Sequence, residues 1–486
     1  MSLKSQAIRA FGWSLTDRLI NQIGYLAVTV YLARLIGPES FGFIGMLTIF
    51  MLLADSVLSG GFTQALVQRS HQLTEDDACT IFYVNLVSGI LMYAVLFVTA
   101  PWIAAFFHQP ELTSIARVLF LVIIVNTFTV VVRAKLTIVV DFKSQAIANT
   151  IATLLSAALA LVLAHEGYGY WAVVWLMVSK AVFASAGIWW FCRWLPQWRF
   201  SADSFRSLFK FGSNLMLAGF VATIVNNLYV ALIGRFYNAS QVGFFTQATN
   251  LSNALYQFVA SSLQGVTYPI MTSIKEDRGR LISVYRQLIS ITMLVCLPML
   301  IGFAAVAGDF VRLFLGEEWL PTAPVLVALC IARTVTPISS INMNILNAVG
   351  RSDLFLKVDL SKLPMTLGAL YFALPYGIEG LAWAMVCTSF VAFFINAYYP
   401  GKMFGFGGLA QLRVAAPYIA ASVIMFAVVH FLPWNPSMGA LAAKIIIGAL
   451  VYAALLWFMK DPWARQIEKI IRRRIQEQVL TRFNDA

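Results

Sequence analysis

Charge is what this sequence has least of. Only 12% of its 486 residues are Asp, Glu, Lys or Arg, against about 25% in ordinary soluble domains. That excludes a globular enzyme bathed in water on every side. Cysteine is sparse and never paired: Cys79, Cys192, Cys296, Cys330 and Cys387 stand singly, so neither a disulfide framework nor a thiolate metal site is indicated. The four histidines (His71, His108, His165, His430) are equally scattered, and no metal or cofactor is called for. The first apolar run does not read as a cleavable signal. Asp17 and Arg18 interrupt the first apolar run, and no small-residue cleavage site follows it.

What the chain has in abundance is apolar sequence: 60% of residues are hydrophobic and the mean hydropathy is +0.78. A membrane crossing needs about 20 apolar residues. About fourteen such runs occur, near 10–34, 42–66, 79–100, 113–139, 144–164, 169–192, 208–235, 242–266, 285–307, 323–348, 353–374, 378–399, 411–432 and 439–459. They leave no room for a soluble catalytic domain. The net charge of +12 could suggest nucleic acid, but its distribution along the chain points to a membrane. With both termini in the cytoplasm, 25 of the 34 Lys and Arg fall on the cytoplasmic face. Only Arg34, Arg117, Arg235 and Arg312 lie opposite, and five lie within spans. This is the positive-inside pattern of an even number of crossings.

The stretch Arg34-Leu35-Ile36-Gly37-Pro38-Glu39-Ser40-Phe41-Gly42-Phe43 is echoed by Arg235-Phe236-Tyr237-Asn238-Ala239-Ser240-Gln241-Val242-Gly243-Phe244. Two weaker echoes support it. Pro101–Phe107 resembles Asp309–Leu315, both read as short amphipathic outer-face segments, and Gly167 and Ala172 align with Gly377 and Ala382. A repeat of six spans enters the bilayer twice from the same side, so the copies are parallel repeats. The expected organisation is an all-α polytopic membrane protein of about fourteen transmembrane helices. Residues 1–200 and 201–402 form two six-helix bundles, 403–460 carry two extra helices, and 461–486 form a basic amphipathic cytoplasmic tail. Residues 193–207, rich in Arg and carrying Pro196, are the expected linker. In the tail, Trp463, Ile467, Ile470, Ile471, Ile475 and Val479 share a helical face opposite Lys and Arg, as in a helix lying on the inner leaflet.

Polar groups inside the spans cost energy unless they meet a partner or a wet cavity. Span 1 carries Asp17, Arg18, Asn21 and Gln22, with Ser14 and Tyr25 on the same side; span 2 has Asp55, Ser56 and Ser59; span 7 has Thr223, Asn226 and Asn227. Span 8 places Thr246, Asn250, Asn253, Gln257, Ser261 and Gln264 in one stripe, and span 10 repeats the design with Arg333, Thr336, Ser340, Asn344 and Asn347. Such amides and hydroxyls suit a ligand rich in hydroxyls, such as a sugar; hydrogen bonding between helices is the other reading. Arg18, Lys180, Arg333 and Lys362 are the candidate cavity cations for an anionic substrate such as a diphosphate. Arg18 has snorkelling to the interface as its alternative, and Lys362 has pairing with Asp359 three residues earlier. Asn21, Asn226, Asn227, Asn250, Asn253 and Gln257 are the candidate polar lining. Asp55 and Asp359 are the candidate sites for a coupling ion, Asp55 having Arg18 as an alternative partner.

With these bundles and corners in view, the chain resembles the Wzx-type polysaccharide repeat-unit flippases. They belong to the superfamily that also holds lipid II flippases and MATE multidrug exporters. The stretches that carry the resemblance are Leu32–Gly42, Ala54–Arg69, Tyr268–Ile274 and Phe314–Trp319, and they look most like the branch serving exopolysaccharides such as colanic acid. The resemblance implies flipping of an oligosaccharide on undecaprenyl diphosphate across a bacterial inner membrane, from the cytoplasmic to the periplasmic leaflet, by alternating access. It implies a cationic cavity lined by spans 1, 2, 7 and 8, a lipid-tail groove bordered by spans 13 and 14, and coupling to Na+ or H+ as in relatives. The expected partners are the lipid-linked oligosaccharide, membrane lipids and the polymerase and export machinery, with a monomer as functional unit. A MATE-like small-molecule exporter would favour acids and aromatics in the cavity, whereas five Lys or Arg lie within spans here. A polysaccharide polymerase would show a large outer loop or a paired-acid site, and neither is present.

Overall fold

The computed structural model describes the backbone of residues 3–58 and 74–462. Within it, the side chains of residues 3–20, of a subset between 204 and 269, and of Ser352 and Leu356 lie outside the description. The tail from Trp463 onward and Ser59 also lie outside the described residues. By their internal contacts the residues fall into two units, Met1–Gln247 and Ala248–Ala486. Among the described residues there is no strand.

Met1–Gln247 opens with α1 (Leu3–Leu58), in which Gly37 breaks the helix at φ 75°, ψ 172°. That left-handed turn, open to glycine at no steric cost, makes one element into two crossings. Next come α2 (Glu75–Phe107), α3 (Leu112–Leu119), α4 (Leu121–Thr127), α5 (Val130–Ile138), α6 (Phe142–His165), α7 (Trp171–Cys192) and α8 (Ala202–Phe236). The next helix, α9 (Ala239–Ser273), starts in this unit and continues into the second. In Ala248–Ala486 follow α10 (Arg278–Ala305), α11 (Ala307–Phe310), α12 (Thr322–Arg333), α13 (Thr336–Ala348), α14 (Ser352–Ser361), α15 (Leu363–Ala373), α16 (Gly377–Phe404), α17 (Gly408–His430) and α18 (Met438–Phe458). These helical arms cover the expected apolar runs as far as the residues are described; positions 59–66 of the second run lie outside the described residues. Ten stretches among the described residues are long and apolar enough to cross a bilayer, and two of them, 38 and 52 residues long, have the length for two crossings.

Helix starts follow the local sequence. Thr74 and Asp77 form a reciprocal capping box at the head of α2, with Glu75, Asp76 and Asp77 in its first turn. Asp277 caps α10 by a single bond, accepting from the Arg280 amide at 3.0 Å. The fourth span is interrupted where the Thr127 and Thr129 hydroxyls turn back on the carbonyls of Ile124 and Asn126. Thr334 does the same to Ile331 in the tenth span, just before α13 begins with Pro337 in its first turn. The repeat therefore extends to where its helices break. One expectation needs adjusting: Pro101–Phe107 is the continuous end of α2, not a separate segment, because Pro101 is accommodated inside the helix.

Packing uses small residues where helices come close. Ala146, Ala148, Ala152, Ser156, Ala157 and Ala160 of α6 are buried, and a Cβ on Gly187 of α7 would stand 2.9 Å from that of Ala148. Arg193 adopts the left-handed region after α7. The linker that follows runs along α2: the Trp194 indole donates to Glu75 (2.9 Å), and the Ser201 amide donates to the Thr80 hydroxyl (3.0 Å).

The echoed corner meets its own copy. A Cβ on Gly42 would fall 1.8 Å from the Ala239 carbonyl oxygen, and one on Gly243 would fall 2.0 Å from that of Pro38. Positions 38 and 239, and 42 and 243, share the offset of 201, so the two contacts are reciprocal, as a local two-fold relation requires. A Cβ on Gly45 would meet the Thr246 hydroxyl at 2.5 Å, again at that offset. Backbones approach here as only glycine allows.

Candidate functional site

The amides expected to line a cavity separate into two groups once their partners are known. Asn21 of α1 accepts from the Thr153 hydroxyl of α6 at 2.7 Å. Asn227 of α8 donates to the carbonyl of Thr223, one turn back in its own helix, at 2.9 Å. By contrast, Asn250, Asn253 and Gln257 of α9 form no side-chain hydrogen bond among the described residues. Asn250 and Gln257 are exposed and Asn253 is half-buried. On α13, Thr336, Ser340, Asn344 and Asn347 are likewise half-buried without a described partner. Polar groups in a membrane protein that are spent on no neighbour are available to water or ligand. Asn226, Ser261 and Gln264 lie on described helices, but their side chains are outside the description.

The cations divide as sharply. Lys362, at the break between α14 and α15, donates to Asp359 at 2.5 Å and to Asn396 at 3.1 Å, so Asp359 and Lys362 answer each other. Lys180 of α7 stands 4.5 Å above the Tyr25 ring, a cation–π arrangement that joins α7 to α1. Lys444 of α18, unremarked in the sequence, is buried against Asp309 at 2.7 Å, with side-chain exposures of 6% and 20%. Arg333 differs from Lys362 and Lys444, which each meet a carboxylate. Its Nε donates to the buried Ser252 hydroxyl at 3.0 Å and its guanidinium lies 6.0 Å from the Tyr256 ring centre. No carboxylate pairs with it among the described residues. The backbone of Arg18 lies in α1; its side chain is outside the description.

Arg333 closes α12 where α13 begins, and Ser252 and Tyr256 sit on α9 beside Asn253. The result in Ala248–Ala486 is a guanidinium fixed through its Nε, with N–H donors that meet no acceptor among the described residues, on the helix pair that carries the amides of Asn253 and Gln257. Guanidinium donors suit phosphate oxygens, and amides suit hydroxyls. Next to it, an apolar cavity of about 300 Å³ is lined by Leu297, Ile301, Val335, Ile338, Ile419 and Phe426, among others, and reaches Thr334. Helix α17 contributes to its wall and α18 does not. Asp55 lines a separate small cavity of about 30 Å³ with Asn126 and Thr127, room for about one water or small ion. Sequence reasoning missed Ser252 and Tyr256. Their only signal is an i, i+4 polar–aromatic pair on the flank of the span 8 stripe.

A fully buried ring of three side chains braces the same unit. The Tyr285 hydroxyl donates to Asn342, the Asn342 amide donates to Gln411 at 3.0 Å, and the Gln411 amide donates back to Tyr285 at 2.9 Å. The ring joins α10, α13 and α17.

Comparison with known proteins follows the same lines. A family described as "Polysaccharide biosynthesis protein" matches residues 31–324. The chain is 25% identical over 480 residues to the succinoglycan biosynthesis transport protein ExoT of Rhizobium meliloti, covering 96% of each chain. It is 26% identical over 477 residues to the teichuronic acid biosynthesis protein TuaB of Bacillus subtilis, covering 91% of this chain and 96% of that one. Among solved structures, the lipid II flippase MurJ in an inward closed conformation superposes with a TM-score of 0.76 at 14% identity, covering 93% of this chain and 99% of that chain. That last likeness is one of fold.

Proposed function

The chain belongs to the polysaccharide biosynthesis protein family, whose match spans more than half of it, and on that premise we propose that it is a lipid-linked oligosaccharide flippase. Its substrate in this reading is an oligosaccharide repeat unit on undecaprenyl diphosphate, moved from the cytoplasmic to the periplasmic leaflet of a bacterial inner membrane by alternating access. Both termini then face the cytoplasm, in keeping with the positive-inside charge pattern. The reading is of a carrier, with no catalytic step assigned.

One observation carries it: Arg333, a half-buried guanidinium held by Ser252 and Tyr256 and paired with no described carboxylate. A charge placed near a bilayer centre without a counter-ion costs about 2.5–3.5 kcal/mol on the lenient scale, which an arriving diphosphate would offset. Asn250, Asn253 and Gln257 offer donors and acceptors to the sugar hydroxyls. The apolar cavity beside Thr334 has room for part of an isoprenoid tail. A MATE-like carrier of cationic drugs would want a carboxylate where Arg333 stands. Asp55, beside its small polar cavity, and Asp359, already answered by Lys362, are the sites at which Na+ or H+ coupling would be sought.

Binding tests this reading. Native mass spectrometry of the purified protein with an undecaprenyl-diphosphate oligosaccharide should show a complex that Arg333→Ala weakens at least tenfold while leaving total phospholipid binding unchanged. Equal retention of the ligand by wild type and variant would remove Arg333 from the site.

A further inference from the structure

Between α14 and α16, within Ala248–Ala486, runs an open groove of about 400 Å³, a volume in the range of small-molecule sites, about 300–1,000 Å³. Lys357 and Val358 line it from α14, and Val391, Phe394 and Tyr398 line it from α16, among others. Val358 is its buried floor, while Val391, Phe394 and Tyr398 are 48%, 43% and 61% exposed. The α16 residues recur at helical spacing, and Lys402 continues their stripe one turn beyond Tyr398. From Val391 to Lys402 the stripe rises about 16 Å. One leaflet contributes roughly 15 Å to a hydrocarbon core of about 30 Å. The groove therefore has the length of one lipid chain, not of the whole bilayer.

One end of the groove is cationic. Lys357 stands there on α14 and Lys402 on α16, both exposed. The acids of α14 are already spent, Asp353 on Arg351 at 2.8 Å and Asp359 on Lys362. Neither Lys357 nor Lys402 has a carboxylate or hydrogen-bond partner among the described residues. Arg278, at the head of α10, donates to the Met403 carbonyl and adds a third positive charge at this end. The charge distribution assigns the same end to the cytoplasm. Lysine stems lie along apolar surface and carry their ammonium groups to the headgroup level, and tyrosine is enriched at that level. An apolar wall closed at the interface by two unpaired cations complements a lipid chain that carries a negative head.

We propose that the groove between α14 and α16 binds one anionic phospholipid of the inner leaflet, with an acyl chain along Val391 and Phe394 and the phosphate between Lys357 and Lys402. Bound there, the lipid ties the start of α14 to the end of α16. Anionic and zwitterionic phospholipids share the chains and the phosphate, so net charge is what the lysines read. Each lysine near an anionic lipid surface is worth about fivefold in affinity, and the two together up to about 25-fold. The inference goes beyond the flippase reading. It rests on the chain crossing a membrane and holds or fails whether or not an oligosaccharide is moved.

Fluorescence quenching by chain-brominated lipids tests it, on the full-length protein in bilayers with the native cysteines replaced. A bimane label on Leu360→Cys, an exposed position beside the groove, reports the neighbouring lipid, and one on Leu367→Cys, exposed on α15, reports an ordinary lipid-facing position. At Leu360, brominated phosphatidylglycerol should compete at least tenfold better than brominated phosphatidylcholine; at Leu367 the two should be equal. Lys357→Gln and Lys402→Gln should each cut the preference about fivefold, and Lys357→Arg should keep it. Val391→Phe, which fills the groove and leaves both lysines in place, should bring Leu360 to the level of Leu367. Equal quenching by the two lipids at Leu360 would overturn the proposal, as would a preference that survives loss of both lysines. A preference untouched by Val391→Phe would reduce the effect to surface charge and overturn the groove. Relief of quenching by equimolar unbrominated undecaprenyl phosphate would give the groove to a prenyl chain and overturn it as well.

Discussion

A single methyl group at Gly42 should prise the echoed corner apart. In the structure that Cβ would lie 1.8 Å from the Ala239 carbonyl oxygen, and ordinary contact begins near 3.4 Å. The two backbones therefore have to separate by about 1.6 Å, and by about 1.4 Å for Gly243→Ala against Pro38. Neither obstacle is a flexible side chain that can swing aside. Forcing a methyl into such a contact costs about 1–3 kcal/mol, which shifts a two-state equilibrium about 5- to 150-fold. Gly24→Ala is the control, because nothing lies within 4 Å of a Cβ there and alanine favours the helix by up to about 1 kcal/mol. Spin labels at the exposed positions Glu39 and Phe236 report the separation, and thermal unfolding reports the cost. Gly42→Ala and Gly243→Ala should each lengthen the distance and lower the midpoint, while Gly24→Ala does neither. Wild-type distances and midpoints in both corner variants would refute the close approach and the role assigned to it.

Asp309→Asn strands Lys444 in a buried site and should destabilise the protein by about 3–5 kcal/mol; adding Lys444→Met should restore most of it. Thermal unfolding of the single and double variants checks this, and an unaffected single variant would refute it. Asn342→Leu leaves buried Tyr285 and Gln411 each missing a partner and should cost about 1–3 kcal/mol, seen as a lower midpoint with substrate affinity kept. Replacing Asn253 and Gln257 by Leu should do the reverse, weakening oligosaccharide binding several-fold without lowering the midpoint. Asn21→Leu, which breaks the bond to Thr153, should lower the midpoint.

The architecture was legible because hydropathy, charge asymmetry and the echo are properties of the chain read in order. Matching Arg34 to Arg235 was enough to find the duplication. That the two copies touch, Pro38 to Gly243 and Gly42 to Ala239, could not be read, because a repeat states likeness and not proximity. The polar residues show the same limit. Asn21 and Asn253 look alike in a hydropathy profile, and what separates them is a threonine 132 residues away. Lys362 could be paired by eye because its acid lies three residues earlier. Lys444 could not, since Asp309 is 135 residues distant. The Tyr285–Asn342–Gln411 ring, with sequence separations of 57, 69 and 126 residues, belongs to the same class. Arg333 is legible as a deep cation, but Ser252 and Tyr256, which hold it, belong to another helix, Ser252 being 81 residues away.

In the proposed reading this chain moves a lipid-linked oligosaccharide across a bilayer through a site built around Arg333. Its most direct test is translocation in proteoliposomes that contain only the purified protein and a fluorescent undecaprenyl-diphosphate oligosaccharide, with outer-leaflet label quenched or cleaved by an impermeant reagent. Wild-type protein should make the inner-leaflet pool accessible over time, and Arg333→Ala, folded to the same thermal midpoint, should slow this at least tenfold. Accessibility no greater than in protein-free vesicles, or transfer at wild-type rate by Arg333→Ala, would contradict the account.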